Sequence, residues 1–198
     1  MIRIEHLTVA YGGQKVLKDC SLTVPAGGHV ALMGASGSGK TTLINVIAGL
    51  LQPDAGTVSV TGKVSYVFQE PALFPWLTAL ENVNVVLSDG PATRQEAERW
   101  LIRAGLEDCL HKYPHQMSGG QKQRVALCRA LAYGGDILLL DEPLKGLDAD
   151  TRDRVVELLR RACADKTLLL VTHDLAEAQA LCDRVLVYQN GTFAAETL

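Results

Sequence analysis

Two hydrophobic rhythms alternate along this chain, and their order lays out an α/β protein. At the N-terminus apolar and polar residues alternate with a period of two, as in Met1-Ile2-Arg3-Ile4-Glu5, the spacing of a half-buried strand. Residues 1–33 divide into short strands of this kind, with turns predicted at Tyr11-Gly12-Gly13 and Pro25-Ala26-Gly27-Gly28. The strand Val30-Ala31-Leu32-Met33 gives way to a glycine-rich stretch, then to Leu43, Ile44, Val46 and Ile47 at helical spacing, with Gly49 closing the helix and Pro53 beyond it. Further strands are predicted over 56–69 around Thr61-Gly62, ending in Val67-Phe68-Gln69.

From about residue 78 to 135 the period becomes helical. Thr93 and Glu96 have the spacing of a capping box, Ala97, Trp100, Leu101 and Ala104 form an apolar stripe, and Gly105 closes that helix. Val125, Cys128, Leu131 and Ala132 form a second stripe. Two uninterrupted apolar runs follow, Ile137-Leu138-Leu139-Leu140 and Thr167-Leu168-Leu169-Leu170-Val171, the composition of parallel strands buried on both faces. Val155, Leu158, Leu159 and Ala162 mark a helix between them, and Asp174/Glu177 predicts a capping box after the second. Asn190-Gly191 predicts a hairpin between Val185-Leu186-Val187-Tyr188 and Thr192-Phe193-Ala194. The organisation is a single domain: an α/β core drawn from 1–69 and 136–198, with a helical lobe over about 70–135 inserted into it. No internal repeat or low-complexity tract interrupts this.

Composition narrows the class. A chain of 198 residues can bury one sizeable core with a modest lobe. Its net charge of −3 offers no electrostatic reason to expect nucleic acid or an anionic membrane as the main partner. No apolar run approaches the ~20 residues of a membrane span, and the N-terminus lacks the apolar region of a signal peptide, so a soluble, cytosolic chain is expected. Its five cysteines are scattered and contain no C-x-x-C pair, which predicts small buried thiols and neither a disulfide framework nor a zinc site.

The polar residues between these elements carry the chemistry. Gly34-Ala35-Ser36-Gly37-Ser38-Gly39-Lys40-Thr41 fits the G-x-x-x-x-G-K-[ST] pattern, whose backbone N–H groups cradle phosphate while the lysine adds charge. A strand before it and an apolar helix after it supply the required context. Far away in sequence, Met117-Ser118-Gly119-Gly120-Gln121 reads either as a turn or as a second anion contact at a helix start. One nucleotide needs only the first segment, so the pair suggests a site shared between two subunits. Asp141 and Glu142 leave the C-terminal end of a buried strand, where α/β sheets place ligands. An acid there can hold Mg²⁺ and its neighbour can take a proton from water, unless the two simply cap a helix. His173 ends the other buried run.

The phosphate loop, Gln69, Ser118-Gly119-Gly120-Gln121, Leu138-Leu139-Leu140-Asp141-Glu142-Pro143, Gly146-Leu147-Asp148 and Thr172-His173-Asp174 occur in one order over nearly the whole chain, and in this it resembles the ATP-binding cassette (ABC) ATPases. That resemblance implies a P-loop NTPase core of the RecA-like type, with an N-terminal antiparallel β subdomain and an inserted α-helical subdomain. It implies a head-to-tail homodimer that sandwiches ATP between one protomer's phosphate loop and the other's Ser118-Gly119-Gly120-Gln121. Under it, Tyr11 stacks on adenine, Gly34 to Thr42 bind the phosphates, Lys40 meets the β/γ-phosphates, and Thr41, Gln69 and Asp141 hold Mg²⁺. Glu142 is then the general base, His173 contacts the γ-phosphate and Asp148 crosses the dimer interface.

The segment from Phe68 to Val83 is similar to that of nitrate, sulfonate and taurine importer ATPases, whose corresponding surface receives a cytoplasmic helix of a membrane permease. Phe74 and Trp76 are then either permease contacts or core residues of the helical lobe. The implied function is ATP hydrolysis that powers import of a small solute from the inner face of the membrane, with a substrate-binding protein as an indirect partner. An exporter ATPase and a soluble non-transport ABC ATPase are the alternatives. Met117 stands where the family usually has leucine, and Lys145 where a small residue is usual before Gly146. The early end of the chain leads to the expectation that it has no C-terminal regulatory domain.

Overall fold

The structure is a computed structural model that describes residues 1–87, 91–189 and 192–196. Its strands are β1 (Ile2–Tyr11), β2 (Gln14–Val24), β3 (His29–Met33), β4 (Ala55–Val60), β5 (Val64–Val67), β6 (Ile137–Asp141), β7 (Thr167–Val171), β8 (Arg184–Gln189) and β9 (Thr192–Glu196). Its α-helices are α1 (Lys40–Ile47), α2 (Ala79–Asn84), α3 (Pro91–Arg103), α4 (Gly119–Tyr133), α5 (Ala149–Cys163) and α6 (Leu175–Leu181). β2, β1 and β4 form an antiparallel sheet in that order. The main sheet has the order β5-β6-β7-β3-β8-β9 and is parallel except for β9.

The unbroken apolar runs are explained by burial on two faces. Side chains alternate across a strand, so Ile137, Leu139, Leu169 and Val171 pack toward α1 and the antiparallel sheet. Leu138, Leu140, Leu168 and Leu170 pack toward the helical lobe, α5 and α6. Each such side chain removed from water contributes roughly 1.5–3 kcal/mol, so neither face tolerates a polar residue cheaply. All five cysteines are buried in these layers, as their composition predicts.

Register brings the sequence motifs together. β6, β7 and β3 are neighbours, and both Leu32 and Asp141 are in register with Val171. The loop after β3, the end of β6 and the residue after β7 therefore emerge at one edge of the sheet, the edge where parallel sheets bind ligands. β5 pairs with β6 through Val67 and Leu140, which sets Gln69 at the same edge.

Three local expectations are revised. Tyr11 is the last residue of β1 and pairs with Gln14, so the turn itself is Gly12-Gly13. Helix α3 is already running at Pro91, which puts Thr93 inside its first turn and not at its cap. Asp174 does cap α6, accepting from the Ala176 and Glu177 N–H groups, but the Glu177 carboxylate accepts from the Thr172 hydroxyl at 2.7 Å and so does not complete a reciprocal box. The hairpin tip expected at Asn190-Gly191 lies outside the described residues. Among the described residues, no helix is long and apolar enough to cross a membrane.

Candidate active site

The phosphate loop is held open by close packing that excludes side chains. Gly39 caps α1 at φ 103°, and a Cβ there would sit 2.8 Å from Val16 Cγ1. Gly34, at φ 148°, would put a Cβ 2.7 Å from the Tyr188 carbonyl oxygen. Any other residue at either position forces the loop away from the sheet edge. Lys40 leads α1 with its Nζ donating to the Gly34 and Ala35 carbonyls at 2.9 and 2.8 Å, with Ser38 Oγ at 3.4 Å. Burial lowers the Lys40 ammonium from its usual range, against the pull of Glu142 and Asp141.

A cavity of about 310 Å³ opens over this loop. Ser36, Gly37, Gly39, Lys40, Thr41 and Thr42 line it from the loop side, and Gln69, Asp141 and Glu142 from the ends of β5 and β6. The Thr41 hydroxyl donates to Asp141 Oδ2 at 2.8 Å, joining loop and strand. Asp141 is 1% exposed, and burial raises its carboxyl despite that hydrogen bond. A hydroxyl, a carboxylate and an amide oxygen at one phosphate cradle form a hard oxygen donor set suited to Mg²⁺. Among the described residues, no group of three or more His, Cys, Asp or Glu could hold a metal ion. Water and the phosphate oxygens of a nucleotide would complete the coordination of an ion held there.

Glu142 sits in a left-handed backbone conformation, φ 49°, costly for a side chain with a Cβ and typical of residues held for function. Its N–H donates to the Val171 carbonyl at 2.9 Å, which fixes the turn to β7. His173 Nδ1 lies 3.4 Å from its Oε1, and Lys145 Nζ forms an ion pair with Oε2 at 2.9 Å. Burial alone would raise the Glu142 carboxyl, but Lys145 and then His173 outweigh it and hold it below the usual range.

Ser118, Gly119, Gly120 and Gln121 are not in this cavity. They form the first turn of α4, where Ser118 Oγ accepts from the Gln121 N–H and Gln121 Oε1 accepts from the Ser118 N–H, a complete capping box on the protein surface. Asp148 caps α5 through the Thr151 N–H at 3.0 Å, a bond that draws its carboxyl below the usual range. Tyr11 is 51% exposed at the tip of the antiparallel sheet and does not line the cavity.

Several residues that support the site carry no motif. Val16 on β2 closes one wall of the cavity. Buried Gln123, one turn into α4, reaches the Phe68 carbonyl at 3.5 Å and ties that helix to the strand end beside Gln69. The Thr172–Glu177 bond and the Asp174 N–H, which donates to Thr172 Oγ1 at 3.0 Å, set the turn that carries His173. Only spatial neighbours reveal these, since a lone valine, glutamine or threonine has no diagnostic spacing.

A parallel sheet with a phosphate loop, a buried strand-end aspartate and an adjacent glutamate defines a P-loop ATPase cassette. Residues 17–145 match the ABC transporter family, and the chain belongs to that family. It is 44% identical to an aliphatic sulfonates import ATP-binding protein of Rhodopseudomonas palustris, over 100% of this chain and 74% of the relative. The corresponding protein of Paracoccus denitrificans is also 44% identical, over 98% of this chain and 82% of its own. A solved dimeric ATP-binding cassette in a post-hydrolysis state with ADP and Pi superposes with a TM-score of 0.93 at 33% identity, covering 100% of this chain and 99% of that one.

Proposed function

We propose that the chain is the ATP-hydrolysing subunit of an importer for a small solute such as nitrate, a sulfonate or a taurine-like compound, acting as a homodimer on the cytoplasmic face of a membrane permease. The observation that carries this reading is the convergence of Lys40, Thr41, Asp141 and Glu142 on one cavity at the sheet edge. The names of the relatives support import over export and favour sulfonates among these solutes. A substrate-binding protein would act indirectly, through the permease.

Lys40 and the N–H groups of 34–42 bind the β- and γ-phosphates. Thr41, Gln69 and Asp141 would hold Mg²⁺, which supplies charge neutralisation on the phosphate oxygens when bound. Glu142 takes the proton of the attacking water, and His173, beside its carboxylate, faces the γ-phosphate. Because Ser118 to Gln121 lie outside their own chain's cavity, they serve a nucleotide held by the partner, with Asp148 at the same interface and Tyr11 against adenine. The helical lobe, about 70–135, carries that contact as a unit.

The test is steady-state hydrolysis by the purified subunit with ATP and Mg²⁺. Glu142→Gln is expected to lose about 10²–10⁴ in kcat, roughly 3–5 kcal/mol of barrier, while still binding ATP and accumulating as a dimer in size-exclusion chromatography. Lys40→Ala is expected to lose ATP binding itself. Near-normal turnover in Glu142→Gln removes that residue from the role.

A further inference from the structure

The base proposed above has neither carboxylate oxygen to itself. His173 stands at one, and at the other Lys145 Nζ approaches to 2.9 Å. The lysine is placed there by the turn that follows β6: its N–H donates back to the Glu142 carbonyl at 3.3 Å, so three residues of chain return its stem to the carboxylate. With the lysine in place Oε2 exposes almost no surface to solvent, so a water cannot approach that oxygen to hand it a proton. The lysine side chain is 57% exposed on a flexible stem, so it can leave the carboxylate without opening the core.

The same turn has a second neighbour. Gly146 and Leu147 lie against the start of α4, where a Cβ on Gly120 would stand 3.1 Å from Leu147 Cδ2 and 3.6 Å from the Gly146 carbonyl oxygen. The residue that holds the base is thus adjacent to the residues that touch the Ser118 to Gln121 turn. A change of contact at that turn has a short mechanical route to Lys145.

We propose that Lys145 is a positioning residue that restrains Glu142 before two subunits close on nucleotide, and so keeps hydrolysis by the isolated subunit low. This rests on Glu142 being the general base. The lysine end of the pair is open to solvent screening, and a pair of that kind biases an equilibrium by about 2–5-fold, which is the size of restraint expected.

Basal ATPase activity of purified wild type, Lys145→Ala and Lys145→Arg decides it, with Glu142→Gln and the Glu142→Gln/Lys145→Ala double variant alongside. Lys145→Ala is expected to raise kcat by about 2–5-fold with KM for ATP unchanged, because phosphate binding does not involve the lysine. Lys145→Arg, which keeps a cation in reach, brings kcat back down toward wild type. In the Glu142→Gln background Lys145→Ala gains nothing, since no carboxylate is left to release. If wild type hydrolyses ATP, Glu142→Gln does not, and Lys145→Ala is equal to or slower than wild type, the restraint is overturned while the general-base reading stands. If Glu142→Gln keeps its turnover, that reading fails and takes the restraint with it.

Discussion

Glu177 shows how far the site depends on side chains that never face the cavity. It is 7% exposed, accepts from the Thr172 hydroxyl beside His173, and has Arg152 Nε 4.0 Å from its second oxygen. Burial raises its carboxyl above the usual range; Thr172, Arg152 and His173 pull it down, Asp174 pushes it up, and the net direction is upward. A folded-state value above the unfolded one means that its contribution to stability is fully present below the unfolded pKa and is lost as pH rises through the folded value. Glu177→Gln stays neutral throughout and keeps an acceptor for Thr172. Its stability relative to wild type, followed by urea midpoints from pH 5 to 8, is therefore expected to improve as pH rises. A relative stability that falls over this range means that the carboxylate is stabilised as an anion. The phosphate-loop and strand-end residues were visible in the sequence because their chemistry demands fixed offsets. Glu177 was visible only as half of a cap, because the partner that competes for it, Thr172, is identified by distance and not by spacing.

The segment that links Gln69 to the helical lobe is organised by one buried amide. Asn82, fully buried on α2, accepts from the Phe74 N–H at 2.8 Å, and its Nδ2 lies 3.0–3.1 Å from the carbonyls of Phe74, Leu77 and Thr78. Thr78 and Glu81 cap the same helix reciprocally. Asn82→Ala leaves without their partner the buried backbone groups that the amide satisfies and is expected to cost roughly 2–4 kcal/mol. Thr78→Ala, which removes an exposed cap, should cost only about 1 kcal/mol. Urea unfolding of both variants checks the order, and an Asn82→Ala loss no larger than that of Thr78→Ala rules out the brace. The helix was legible from its period, but its bracing was not. Asparagine in an apolar face reads as a flaw until the loop folded over it is seen. The misplaced start of α3 has a similar cause: Thr93 and Glu96 have capping-box spacing, yet the chain is already helical at Pro91, which is itself well suited to a first turn.

At the scale of the whole molecule, the same loop determines what the protein presents to a partner. Arg129 on α4 donates to the Pro71 and Ala72 carbonyls at 3.2 and 3.1 Å, and its guanidinium lies 5.8 Å from the Phe74 ring centre. Held from two sides, by Arg129 and Asn82, the loop displays Trp76 at 69% exposure, 5.6 Å from Phe74. Phe74 also lines an apolar depression of about 420 Å³ between β5 and α4, with Tyr66, Phe68, Ala72, Val86 and Tyr133 around it. That exposure removes the core alternative for Trp76, since a side chain so far in water adds little to packing. A rigidly held aromatic pair beside an apolar hollow is the kind of anchor that dominates an interface, where one residue can be worth ~2 kcal/mol or more. The double substitution Phe74→Ala/Trp76→Ala is accordingly expected to leave the isolated subunit folded and hydrolysing ATP, with a thermal midpoint close to wild type. Its co-purification with the permease from detergent-solubilised membranes should weaken at least tenfold, and solute uptake should be lost. Circular dichroism melts run beside that pull-down separate the two roles: a thermal midpoint lowered by many degrees makes Phe74 a packing residue of the lobe and overturns docking by the pair, whereas full recovery of the permease places the docking surface elsewhere.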